Sequence, residues 1–400
     1  MATVLVAADN HYYRDAKGDV YVDSVFNYDF YKRYLSVFDM VYAVGRVSQV
    51  ETAPAGKKRA DGPGVEFLDL EPGRGLSGFV QTAAANKRLV KGYLGKADCI
   101  IARIPGVVAN MVVAECEREG LHYSIEVVVD PWEYFAPEAR GGLVNWAVRR
   151  KWTAGLKAAC LHADGTSYVT EHYLQERYPC PALKGEPGHF TGSYSSVELP
   201  DDSFGKPRSW TAKEQYEIVH AANTFQGNAK GHYVLFDAVK MVVDSGSNVR
   251  LTCIGDGPSL GDYKAYVAKL GIADRVVFTG RLSDGAAVRK RMAEADLFVF
   301  PTKAEGLPRV LLEAMAEGLP CLSTPVCGIP EVLPSDVLFA PDDSIGFARG
   351  IVSFVSNPSK MDRASVDNIA VARNYASSIL NRKRTEFYRN VALLSKEGIR

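Results

Sequence analysis

Glu305 and Glu313 stand eight residues apart in the string ADLFVFPTKAEGLPRVLLEAMAEGLPCLSTPVCGIPEVL, which runs from Ala295 to Leu333. Leu297–Phe300 reads as a buried parallel strand. Pro301–Gly306 reads as the loop at its carboxyl end, where open α/β sheets place their ligands. Pro308 suits the first turn of the next helix, where a missing N–H costs nothing. The backbone N–H groups of Gly306, Leu307, Arg309 and Val310 then lie at a helix start without intrahelical acceptors, which is an anion site. A carboxylate on either side of that site would repel a bare phosphate. It suits a ligand whose hydroxyls flank its phosphates: Glu313 accepting from a ribose diol, as an acidic residue does in dinucleotide sites, and Glu305 from a second sugar. A nucleoside diphosphate sugar has that layout. Either glutamate alone reads equally well as an acidic residue near a helix start or as a solvated one; the strand, loop, proline and paired glutamates together favour the ligand.

Three earlier segments fall in line ahead of this string. Lys230-Gly231 opens a helix after the strand Tyr216–Ala221. Ile254-Gly255-Asp256-Gly257-Pro258 follows the strand Asn248–Ile254, and Phe278-Thr279-Gly280-Arg281 ends the strand Arg275–Thr279. Singly, Gly255 and Gly280 are ordinary turn glycines and Lys230 and Arg281 solvated cations. Their order and spacing before Glu305 join them.

Glu305-x7-Glu313 with these segments resembles the donor site of family-four retaining glycosyltransferases, which have the two-domain GT-B fold. The resemblance is specific over Gly280–Leu333, fair over 214–390 and faint over 1–195. It implies an enzyme of the EC 2.4 class, hexosyltransferase in type. Lys230 would meet the donor pyrophosphate and Glu305 the reacting sugar. Gly255, Gly280, Arg281, Gly306, Leu307, Pro308, Arg309, Val310 and Glu313 would hold the donor. The family also implies same-face attack with retained anomeric configuration, a donor phosphate oxygen taking the acceptor proton. One departure stands out: the family's second basic residue, an arginine, is missing from His220–Lys230, and Lys303 and Arg309 are the nearest replacements in sequence.

No D-x-D occurs in the chain, and the seven histidines show no metal-ligand spacing, so no catalytic metal and no resident cofactor are expected. The leaving diphosphate would be met by Lys230, Arg281 and the helix-start amides, a preorganised electrostatic arrangement. A glycan or lipid-linked glycan acceptor in polysaccharide or glycolipid assembly is expected on the first domain. Ala8–Arg14 reads as a loop after the first strand, presenting His11. Arg103 follows the strand ending at Ala102. Asp130 and Trp132 follow the strand ending at Val129. Asp130 and Arg103 each read as an acceptor contact or as a loop cap, and His11 as an acceptor contact or a plain loop histidine.

These residues need a frame. Strand-like and helix-like segments alternate throughout, the pattern of α/β folds with parallel sheets. In the first half Thr3–Ala8, Met40–Val44, Val65–Leu70, Ala97–Ala102, Tyr123–Val129 and Gly165–Val169 read as strands. Phe26–Phe38, Phe79–Gly92 and Gly142–His162 read as helices, and Lys57–Gly64 as a loop. The second half adds strands at Leu297–Phe300, Pro320–Ser323 and Val337–Ala340, with helices at His232–Val243, Leu260–Leu270 and Val310–Gly318. Tyr194–Trp210, with Pro200, Gly205 and Pro207, breaks the pattern. The expected organisation is two doubly wound parallel-sheet (Rossmann-like) domains facing a cleft: 1–195 for the acceptor, a linker 196–212, 213–375 for the donor, and a helix 376–400 crossing back to the first domain.

Composition narrows the alternatives. The 400 residues carry 47 basic and 47 acidic side chains; the halves are −2 and +2, which disfavours a nucleic-acid partner. Seven cysteines without C-x-x-C support neither a disulfide framework nor a zinc site, and fit a reducing, cytoplasmic setting. Met1–Asp9 reads as a first strand, not a signal peptide, and no apolar run reaches the ~18 residues of a membrane span. Residues 143–157 mix Trp146 and Trp152 with four basic residues. That segment reads as a membrane-surface helix on an inner leaflet or as a core-packed helix with a solvated basic face. Two further readings compete with transfer: a GT-B protein that binds a nucleotide sugar without turnover, or a nucleotide-sugar epimerase, which would need more acid and base groups facing the sugar.

Overall fold

The computed structural model describes residues 2–73, 75–135 and 143–394. Gly142, read as part of a helix, and 395–400, read as the end of the crossing helix, lie outside them. The first sheet contains β1 (Thr3–Arg14), β2 (Val20–Val22), β3 (Met40–Gln49), β4 (Lys58–Arg59), β5 (Val65–Leu70), β6 (Cys99–Ile104), β7 (Ser124–Val127), β8 (Gly165–Tyr168) and β9 (Phe190–Ser193). Its parallel body runs β5-β3-β1-β6-β7-β8-β9; β2 and β4 add an antiparallel flap to the end of β1. The second sheet is all parallel, in the order β12-β11-β10-β13-β14: β10 (Tyr216–Thr224), β11 (Val249–Asp256), β12 (Val276–Phe278), β13 (Leu297–Phe300) and β14 (Cys321–Ser323). These strands are short and apolar because helices cover both faces: Leu297–Phe300 is buried at every position.

The order of the second sheet reverses between β10 and β13. Successive connections leave that point in opposite directions and open a crevice at the carboxyl ends of the two strands. The loop carrying Lys230 follows β10 and the loop carrying Glu305 follows β13, so topology brings together two residues 75 positions apart.

Several expectations fail. Ala8–Arg14 is not a loop: β1 continues to Arg14 and, after an irregularity between Ala7 and His11, pairs with β3 as far as Gln49. The reason is packing. Tyr12 is fully buried, its ring lies against Gly45, and its hydroxyl is 2.6 Å from that of Tyr31. Val337–Ala340 is not a strand; a 3-10 turn, Ser335–Val337, leads into a single bridge between Leu338 and Ser323. Lys57–Gly64 contains the two-residue β4. The helix Val107–Glu119 and β9 have no counterpart in the sequence reading.

Between the sheets, 196–212 contains no helix or strand. The helix Ser377–Leu394 packs on the first sheet: Phe387 meets Phe190 and Tyr194, and Tyr388 stacks on Tyr34 at 4.6 Å.

Candidate active site

The site is built from two interlocked loops. After β10 the chain turns at Phe225–Gly231, and Gly231 takes a left-handed conformation (φ +69°) just before the helix His232–Asp244. A Cβ at Gly231 would lie 1.9 Å from the Pro301 carbonyl oxygen; no other residue permits this approach. The Lys303 N–H donates to the Ala229 carbonyl at 3.0 Å. So fastened, the loops bring the Lys230 ammonium into an ion pair with the Glu305 carboxylate, both half-buried. Beneath them His220 and His232 are fully buried. Burial holds their pKa values at about 4 and about 2, so both rings are neutral at pH 7 and add no charge beside Lys230.

The helix Arg309–Ala316 starts next to this pair. Pro308 precedes the helix as its cap, one position earlier than the sequence suggests. The Arg309 and Val310 N–H groups belong to the first turn, where no intrahelical acceptor exists. Gly306 is buried against the first domain, where a Cβ would lie 2.3 Å from the Val128 carbonyl oxygen. Leu307 is buried as well. Glu313 is half-buried on this helix. Burial raises its carboxyl pKa above the ordinary value, and the charges of Arg309 and Arg289 partly counter that. Arg289 went unnoticed in the sequence, where its helix Gly285–Ala293 carries no distinguishing spacing.

Glycines line the other side. Gly255 (φ +138°) lies within β11 rather than after it; its N–H donates to the Gly280 carbonyl at 3.1 Å, and a Cβ there would lie 1.9 Å from the Ala222 carbonyl. Gly280 is left-handed (φ +72°), followed by the exposed Arg281. Lys303, one of the nearest replacements in sequence for the missing arginine, pairs its ammonium with Asp342 at 2.6 Å.

On the first domain the four acceptor-side residues are scattered. His11, now in a strand, has its ring Nε2 3.0 Å from Ser48 Oγ. Arg103 is turned inward, pairing with the buried Glu126 at 2.5 Å. Glu126 also accepts from the hydroxyls of Tyr34, Tyr194 and Tyr388 at 3.0, 2.9 and 3.0 Å. Burial alone would raise the Glu126 pKa, but the Arg103 charge and these donors hold it below the ordinary range. Asp130 has no exposed surface. It caps the helix Pro131–Tyr134 through the Trp132 N–H (2.8 Å), accepts from Tyr173 and Tyr178, and pairs with Arg177 at 2.9 Å. Trp132 is half-buried under the Arg149 guanidinium, 3.8 Å from its ring centre. Asp130 therefore caps a helix start, and Arg103 pairs within the first domain. Glu126 was missed because its partners are spread from Tyr34 to Tyr388.

Residues 215–357 match the family model described as glycosyl transferases group 1. Protein CapJ of Staphylococcus aureus is 25% identical over 385 residues, 92% of this chain and 94% of that protein. The solved structure of WaaG, a glycosyltransferase involved in lipopolysaccharide biosynthesis, superposes with a TM-score of 0.66 at 17% identity, over 96% of this chain and 99% of its own. Anabaena HepE in complex with UDP and glucose gives 0.67 at 15% identity, over 96% and 99%. The architecture is the GT-B fold.

Proposed function

Taking as premise that the chain is a GT-B glycosyltransferase of the EC 2.4 class, we propose that it moves a hexosyl group from a nucleoside diphosphate sugar to a glycan or lipid-linked glycan, with retention and without a metal or resident cofactor. The observation that carries this reading is the Lys230–Glu305 pair beside the start of the helix that bears Glu313. A donor entering the crevice exchanges that pair for two others. The Lys230 ammonium moves to the diphosphate, and Glu305 accepts from sugar hydroxyls. Glu313 takes the ribose diol, and the Arg309 and Val310 amides and Arg281 share the phosphate charge. The glycines Gly255 and Gly280 let the base approach the backbone. The anomeric C–O bond then breaks, its electron pair passing to the diphosphate. The acceptor oxygen attacks the same face, and its proton passes to a donor phosphate oxygen. The absence of D-x-D from the sequence supports metal independence, and the UDP complex of HepE makes UDP the first nucleotide to test.

WaaG's involvement in lipopolysaccharide biosynthesis supports, by analogy, an acceptor in surface-glycan assembly. Among the described residues no helix is long and apolar enough to cross a membrane. In the helix Leu143–His162, Trp146, Arg150, Lys151 and Lys157 are exposed, while Trp152 packs on Phe135 at 5.3 Å. A basic face with one tryptophan on it supports contact with the anionic inner surface of a membrane.

The test follows the anomeric proton by NMR as UDP-, GDP- and ADP-sugars are consumed in EDTA with simple glycosides as acceptors. An α-linked donor is expected to give an α-linked product at an unchanged rate in EDTA. An inverted product, or turnover restored only by added metal, would overturn the reading.

A further inference from the structure

Glu331 makes a contact that donor chemistry does not explain. It ends the 3-10 turn Ile329–Glu331 that follows β14 on the second domain, yet its carboxylate reaches the first. Its Oε2 accepts from the Glu171 N–H at 2.7 Å, and its Oε1 from the His172 and Tyr173 N–H groups at 3.1 and 2.7 Å. A carboxylate accepting three successive backbone donors makes charge-assisted bonds, stronger than their neutral counterparts. The turn it holds is connected onward. The Tyr173 hydroxyl donates to Asp130, Arg177 pairs with Asp130, and Lys383 of the long C-terminal helix pairs with Glu171 at 2.8 Å. Asp130 in turn caps Pro131–Tyr134. Two loops of the second domain, one after β13 and one after β14, press on this wall: Gly306 on Val128 and Val169, and Gly328 on Thr170, while the Gly328 N–H donates to the Gly306 carbonyl at 2.9 Å.

We propose that Glu331 is a positioning residue that sets the spacing between the donor loop at 305–310 and the first-domain wall at 128–134, and so governs transfer to the acceptor rather than binding of the donor. This rests on the donor-site reading above. A displacement of about 1 Å between reacting groups can cost on the order of 10²-fold in rate, and one carboxylate spanning the two domains is placed to control such a displacement.

The experiment compares wild type, Glu331→Ala and Glu331→Gln. Spin labels are placed at Leu161→Cys on the first domain and Ile345→Cys on the second, both exposed, while the seven native cysteines are buried. Distances are measured without ligand. Wild type is expected to give one narrow distribution and Glu331→Ala a broadened or shifted one. In parallel, kcat for transfer should fall about 10–10²-fold in Glu331→Ala, while affinity for the nucleoside diphosphate that wild type binds best among UDP, GDP and ADP stays within about twofold, as for independent sites. Glu331→Gln, which keeps one acceptor oxygen, should recover part of the rate. An unchanged distance distribution would overturn the proposal. So would a broadened distribution with unchanged kcat, or nucleotide affinity and melting temperature falling in step with kcat, the pattern of general damage. If wild type binds none of the nucleotides, the donor-site reading fails, and the distance arm still decides whether Glu331 sets the spacing.

Discussion

Lys230→Ala is expected to lower kcat by about 10²–10³-fold, the usual cost of losing one preorganised group that stabilises developing charge. Lys230 is the sole cation of the segment 220–230, and Lys303, its neighbour across the interlocked loops, is held by Asp342. The negative charge on the departing diphosphate grows as the glycosidic bond breaks, so the ammonium contributes more in the transition state than in the ground state. The loss should therefore appear in kcat more than in KM. Folding should hardly change, because a half-exposed ion pair stabilises by only about 0–1 kcal/mol. Lys230→Arg should retain part of the rate, since a cation remains, and Lys303→Ala should behave nearly as wild type. Steady-state kinetics with the preferred donor decides the matter: a fall of less than about tenfold would mean that other groups meet the diphosphate.

The second large effect is on stability. Glu126→Ala is expected to destabilise the protein by about 3–5 kcal/mol, the cost of leaving a buried charge without its partner. Arg103 would lose its counter-ion and three buried phenols their acceptor. Replacing both charges together, as Glu126→Leu with Arg103→Met, should cost less, because a well-packed apolar pair removes the desolvation problem. Tyr388 belongs to the helix Ser377–Leu394, so the single variant should also loosen that helix and expose it to protease. The pH dependence has a definite sign. The folded pKa of Glu126 is depressed, so its contribution is complete above the ordinary glutamate value of about 4.3 and is lost as pH falls through the depressed value. Urea denaturation at pH 7 measures the effect, and a loss below about 1 kcal/mol would contradict the role assigned to this network.

How legible was this in the residues alone? The second domain was readable because its signals are local. Apolar runs mark β10, β11 and β13, and the order Lys230, Gly255, Gly280, Glu305, Glu313 follows the crossovers of one parallel sheet. The glycines carry readable steric meaning, as at Gly231 against Pro301. The first domain was less legible for the opposite reason. Arg103 and Asp130 sit at strand ends where ligand contacts belong, but their partners are Glu126, Tyr173, Tyr178 and Arg177, which no periodicity connects to them. Ala8–Arg14 looks like a polar loop because Asp9, Asn10 and His11 interrupt the apolar run; only the packing of Tyr12 on Gly45 shows a continued strand. The helix Val107–Glu119 escaped because the apolar run from Cys99 to Cys116 joins strand to helix with little polar punctuation. Glu331 could not be found at all, since a carboxylate that meets three backbone N–H groups leaves no pattern in side-chain identity.

The central claim is that the crevice between β10 and β13 holds a nucleoside diphosphate through Glu313 and the adjoining helix start. Thermal unfolding with UDP, GDP and ADP, on wild type and Glu313→Ala, tests it most directly. At 100 times Kd, binding should stabilise wild type by about 2.7 kcal/mol, with one nucleotide preferred, and the gain should vanish in Glu313→Ala while its unliganded melting temperature stays close to wild type. Equal stabilisation of both proteins, or of neither, would contradict the assignment of the donor site.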